Sequence, residues 1–141
     1  GFGGDSYSVR NDRSGEGWIS SGMVRDAGGF ARTDAARTND FHGIGQVIQD
    51  GNVRRGPQTL SFQLKNTEAA GSANQIWATV YGINGQWTGR VDATSDPTRI
   101  HALPAPAVAT LLNTNVGGTT YSNWQTFTFN LDFGTTGYEY V

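Results

Sequence analysis

Hydrophobic and polar residues alternate without a break in Gln58-Thr-Leu-Ser-Phe-Gln-Leu-Lys65, with Leu60, Phe62 and Leu64 on one parity and Thr59, Ser61, Gln63 and Lys65 on the other. A period of two with one wet side predicts a half-buried antiparallel strand. The stretch from Trp124 to Phe133 repeats the pattern, placing Phe127, Phe129, Leu131 and Phe133 inward and Thr126, Thr128, Asn130 and Asp132 outward. Further strands are predicted over 17–24, 29–33, 43–49, 75–81, 86–91, 108–113 and 138–141, and no window carries a helical stripe. Between them lie the turn-forming pairs Gly51-Asn52, Asn66-Thr67, Gly71-Ser72 and Gly117-Gly118, and the run Ser95-Asp96-Pro97. Ile83-Asn-Gly-Gln86 is the strongest hairpin signal, because Asn-Gly tolerates the positive φ values of a type I′ turn. Many short strands with such punctuation predict an all-β sandwich or barrel. With 141 residues and no linker, repeat or low-complexity tract, the chain reads as a single domain spanning 1–141.

One strand carries candidate chemistry. In Asn74-Gln-Ile-Trp-Ala-Thr-Val-Tyr-Gly82, Ile76, Ala78 and Val80 alternate with Trp77, Thr79 and Tyr81, so both large rings fall on one face. At about 3.3 Å per residue those rings stand ~13 Å apart. Trp87 follows shortly after, and Trp124 opens another strand. Flat rings lined along a sheet among Asn, Gln, Thr and Arg suit a planar, polar-edged ligand such as a sugar chain. The plainer alternative is that the rings fill the core.

Charged residues make up 16% of the chain, against about a quarter in an average domain, and the net charge is −2 with a pI near 5.5. That balance argues against nucleic acid or an anionic membrane, which need a concentrated basic surface. Arg54-Arg55 is the sole adjacent basic pair, and no apolar stretch approaches the ~20 residues that span a bilayer. With no cysteine there is neither a disulfide frame nor a thiolate metal site. Scarce lysine with abundant Gly, Thr and Asn resembles secreted bacterial β-domains, and export is the expected location. The termini, Gly1 and Val141, read as those of a processed product or a piece of something longer.

Gly1-Phe2 followed by Gly17-Trp18, the strand Gly45-Gln-Val-Ile-Gln49, the run Gly56-Pro-Gln-Thr-Leu-Ser-Phe62, and the ending Trp124-Gln-Thr-Phe-Thr-Phe129 with Gly137-Tyr-Glu-Tyr-Val141 carry a family likeness. Together they resemble the carbohydrate-binding modules grouped as families 4, 9, 16 and 22. The likeness implies a jelly-roll β-sandwich and a structural calcium between the N-terminal segment and the last strand. Gly3 stands where those modules place a Glu, which leaves Asp5 and backbone carbonyls as the calcium ligands the likeness implies.

Rival chemistries find less in the chain. His42 and His101 lack metal-ligand spacing, and Gly43-Ile-Gly45 lacks the context of a nucleotide loop. Glycoside hydrolysis needs two carboxylates across a cleft, yet the Glu residues are only Glu16, Glu68 and Glu139, the first two in turn-like sequence. A jelly-roll polysaccharide lyase would draw on Tyr81, His42, Gln46 and Arg90, but the motifs of such lyases are missing. The first alternative is a structural or adhesive extracellular surface protein that self-assembles by adding an edge strand at Tyr138–Val141, and the lyase is the second. The sequence therefore predicts non-catalytic carbohydrate binding. Trp77, Tyr81 and Trp87 are the stacking rings; Gln63, Asn66, Arg90 and Gln46 are the hydrogen-bonding groups, with Arg90 also able to hold a uronic carboxylate in two bonds. Trp18 reads as core or groove wall. Trp124 is left between an outward and a packed position.

Overall fold

Residues 19–21, 23–36, 42–45, 48, 52–84, 108–139 and 141 are described by the structure, a computed structural model. They form eight antiparallel strands and no helix: β1 (Ile19–Ser21), β2 (Met23–Arg25), β3 (Ala31–Thr33), β4 (Gly43–Gly45), β5 (Pro57–Asn66), β6 (Trp77–Ile83), β7 (Val108–Asn115) and β8 (Tyr121–Asp132). The pairing is nested twice. β2 pairs β3 and β1 pairs β4 around them in sequence; β6 pairs β7 and β5 pairs β8 around them. The class is all-β, as the alternation dictates.

The β5–β8 ribbon follows its sequence pattern closely. Leu60 lies opposite Phe129 and Phe62 opposite Phe127, and the Phe62 and Phe127 rings stack with centroids 5.6 Å apart. Such cross-strand ring pairs are the unit of sheet stabilisation. On the other face Ser61 lies opposite Thr128 and Gln63 opposite Thr126, hydroxyl to hydroxyl at 3.4 Å and amide to hydroxyl at 3.3 Å. Among the described residues the buried apolar side chains are Ile83, 1% exposed, Phe133, 4% exposed, and Leu131, and the Phe133 ring meets the Tyr138 ring edge-on with centroids 6.1 Å apart.

Two ends close the nested ribbons. At one end, Asn66 donates its side-chain amide at 2.8 Å to both the Asn74 side chain and the Thr119 carbonyl. Gly71 N–H there meets the Gly118 carbonyl at 3.0 Å, and the Asn115 side chain accepts from Ile76 and Gly117 N–H at 2.9 Å. At the other end Tyr138 packs on β6. A side chain at Gly82 would run into the Tyr138 ring, and at Gly137, whose φ is +70°, it would meet the Arg54 carbonyl. Glycine is what lets the tail approach.

Several predicted boundaries change. The segment 17–24 contains two strands, β1 and β2, with different partners. The tail 138–141 is not the free strand expected for edge addition: Tyr138 exchanges two 2.9 Å backbone bonds with Arg54, and Val141 exchanges a further pair with Ile48. Paired backbone groups have no donors or acceptors left to recruit a neighbour on that side. β6 takes its partner from residues 108–115, while the predicted strand 86–91 lies outside the described residues. No described helix is long and apolar enough to cross a membrane.

Candidate functional site

β6 and β7 build an outer face of polar side chains with a ring at each end. Trp77 lies opposite Asn115, Thr79 opposite Asn113, and Tyr81 opposite Thr110. Trp77 is 48% exposed; Asn113, Asn115 and Thr110 are exposed, and Thr79 and Tyr81 half-buried. The Trp77 indole N–H donates to the Gln75 side chain at 3.2 Å, and Gln75 in turn donates to the Ser72 carbonyl at 3.2 Å. The ring is thus held by its edge while much of its surface stays in water. Thr79 donates to Asn113 at 3.4 Å, so the polar groups between the rings are mutually ordered. A register shift between Val80 and Tyr81 gives β7 one extra residue, which re-aims the chain beside Tyr81.

A second face, on β5–β8, carries the other exposed tryptophan. Trp124 is 41% exposed, which decides its orientation in favour of the outward position. Between Leu64 and Asn66 the partner strand runs from Gln125 to Tyr121, an irregularity that contains Trp124. Phe30, presented by the tight β2–β3 turn, meets the Trp124 ring nearly edge-on with centroids 5.2 Å apart. That turn is fixed by the Asp26 carboxylate, which accepts from Gly28 N–H at 2.8 Å and from Arg32 at 3.1 Å. Lys65 Nζ stands 4.9 Å from the Trp124 ring centroid. Gln63 and Thr126 lie next along the same face.

The predicted site residues meet different fates. Trp77 and Tyr81 share the β6–β7 face; Gln63 and Trp124 share the β5–β8 face. Asn66 is corrected: it is 3% exposed, and its side chain is occupied by Asn74, Thr119 and the N–H of Glu68. A polar group that remote from solvent holds loops together and cannot reach a ligand. Trp87, Arg90, Gln46, Asp5 and Trp18 lie outside the described residues. Gln75, Asn113, Asn115 and Lys65 were not singled out in the sequence, although Lys65 shares the outward parity of Gln63.

Other chemistry is sparse. Among the described residues no group of three His, Cys, Asp or Glu side chains is placed to hold a metal ion. His42 is half-buried and its Nε2 has no hydrogen-bond partner. Burial raises the Tyr121 hydroxyl above the usual tyrosine range, and that hydroxyl donates to the Val116 carbonyl at 3.1 Å. An open depression of about 540 Å³, lined by Arg55, Pro57, Asp132 and Thr135 among others, lies at the end of β5–β8 away from Trp124. Its lining has no aromatic ring, and the Asp132 carboxylate there is engaged by Gly134 N–H at 2.9 Å.

Comparison with known proteins adds no relative: no protein-family model matches the chain, no curated protein matches it, and no solved structure matches it.

Proposed function

We propose that this chain is a non-catalytic, exported carbohydrate-binding domain that takes polysaccharide on the outer face of β6–β7. The observation that carries this reading is Trp77: half exposed, tethered through its indole N–H to Gln75, and set in a row with Thr79, Asn113 and Asn115. A sugar ring offers an apolar C–H face and a polar rim. A fixed indole bordered by hydroxyls and amides complements both, with Tyr81 about 13 Å further along at a spacing suited to another unit of the chain. Trp87, Gln46 and Arg90 belong to the same reading on sequence grounds. The nested pairing of eight short antiparallel strands supports a jelly-roll sandwich as the architecture. The single lysine among abundant Gly, Thr and Asn supports export as a compositional likeness to secreted β-domains.

The test is Trp77→Ala, with binding followed by affinity electrophoresis in soluble polysaccharides and by retention on insoluble ones. Loss of a stacking ring is expected to weaken binding by about 1–3 kcal/mol, by analogy with bases stacked on aromatics, while the melting temperature changes little. A large fall in melting temperature with unchanged binding would overturn the role given to this ring.

A further inference from the structure

We propose that Trp124 and Lys65 form a second glycan subsite, on the β5–β8 ribbon, that takes an anionic sugar unit. The inference rests on the reading of the chain as a polysaccharide-binding domain, but it does not depend on the Trp77 face. Lys65 is the only lysine in the chain, and its ammonium stands 4.9 Å from the Trp124 ring centroid. An ammonium carries three donors and no acceptor. The ring face offers it a diffuse electrostatic attraction, and the ion pair among the described residues is made by Arg32 and Asp26 and leaves Lys65 without a carboxylate. The donors of Lys65 therefore remain available beside an exposed indole.

The surroundings complete a small recognition surface. Phe30 supports the Trp124 ring from the β2–β3 turn, so the indole is positioned before any ligand arrives. Gln63 and Thr126 lie directly alongside, joined to each other at 3.3 Å, and Ser61 and Thr128 continue the polar row. Lys65 stands over the ring, so a sugar set on the part of the indole that remains exposed brings a ring carboxylate or a sulfate ester against the ammonium, while its hydroxyls reach Gln63 and Thr126. The ring supplies affinity. The ammonium supplies discrimination, because an exposed ion pair is weak and sensitive to salt.

The experiment uses the full chain and its Lys65→Gln, Lys65→Arg, Trp124→Ala and Trp77→Ala variants. Binding is measured on polygalacturonate, a sulfated galactan and a neutral galactan at low and at 0.2 M salt, and melting curves confirm that each variant is folded. The wild type is expected to prefer an acidic polymer, and Lys65→Gln to lower that affinity about fivefold, the most an exposed charge pair usually gives. Lys65→Arg should retain it, added salt should erode it, and binding to the neutral polymer should not respond to Lys65. Trp124→Ala should weaken acidic-polymer binding by about fivefold or more. The polyuronate and sulfated arms separate carboxylate from sulfate as the recognised group. Retention of acidic polymer by Trp77→Ala would support an independent subsite even where the proposal for the Trp77 face fails. Equal affinity for acidic and neutral polymers, an unchanged Lys65→Gln variant, or no binding to either acidic polymer would overturn the subsite.

Discussion

Lys65 and Asn66 are neighbours on β5, yet one side chain lies over an exposed ring and the other is sealed under two loops. Alternation alone accounts for their opposite faces, but not for the burial of Asn66, which depends on Asn74 from the loop that follows β5 and on Thr119 arriving from a distant part of the chain. Both polar ends of the Asn66 amide are used: the nitrogen donates to those two partners and the oxygen accepts from Glu68 N–H at 3.3 Å. Truncating it leaves the buried Asn74 side chain and the Thr119 carbonyl without this donor, a loss of about 1–3 kcal/mol. Asn66→Ala is therefore expected to lower the urea midpoint clearly, with polysaccharide affinity intact in the molecules that remain folded. Affinity lost without any change in the midpoint would instead return Asn66 to the binding surface. At Trp77 the expectation is reversed, because a ring that is 48% exposed contributes more to a ligand than to the core.

At the scale of elements, the aromatic rows of β5 and β8 form one laminate, but it is graded along its length. Phe62 and Phe127 are half-buried, whereas Leu131 and Phe133 are buried. Phe133→Ala is accordingly expected to cost about 3–5 kcal/mol, through lost burial and the cavity left behind. Phe62→Ala should cost about 2 kcal/mol, nearer the simple transfer value for one ring. Chemical denaturation of the two variants checks the order, and a costlier Phe62→Ala would move the centre of the core toward the Trp124 end. Gly82 sets a second element-scale condition. Its missing side chain is the space the Tyr138 ring occupies, so Gly82→Val is expected to displace the tail and destabilise the fold. Intrinsic fluorescence and thermal melting would register both effects.

For the whole molecule, the backbone bonds that tie Tyr138 to Arg54 and Val141 to Ile48 occupy groups that strand addition would need. Sizing chromatography is expected to give a monomer, and concentration-dependent filaments would favour the adhesive alternative. The family likeness implies a calcium held by oxygens near the chain termini, with Asp5 as the carboxylate it leaves for that role. A chelator is then expected to lower the melting temperature without abolishing polysaccharide retention, since an ion that binds only the native state adds stability by mass action. An unchanged melting temperature would remove calcium from the account.

The sequence by itself determined the all-β class, the inward and outward faces of β5 and β8, and the shared parity of Trp77, Thr79 and Tyr81 on β6, while the exposure of Trp77 came only with the structure. Class, faces and parity are local properties: a period of two assigns every side chain to one side of a ribbon as soon as the strand forms. Tertiary structure alone decided that β6 pairs with β7 inside the β5–β8 pair, that Asn66 is buried, and that the tail is tied to Arg54 and Ile48. It also decided that Trp124 faces outward between Lys65 and Phe30. Each of those outcomes joins residues far apart along the chain. Alternation carries no information about which distant segment will arrive at a given edge.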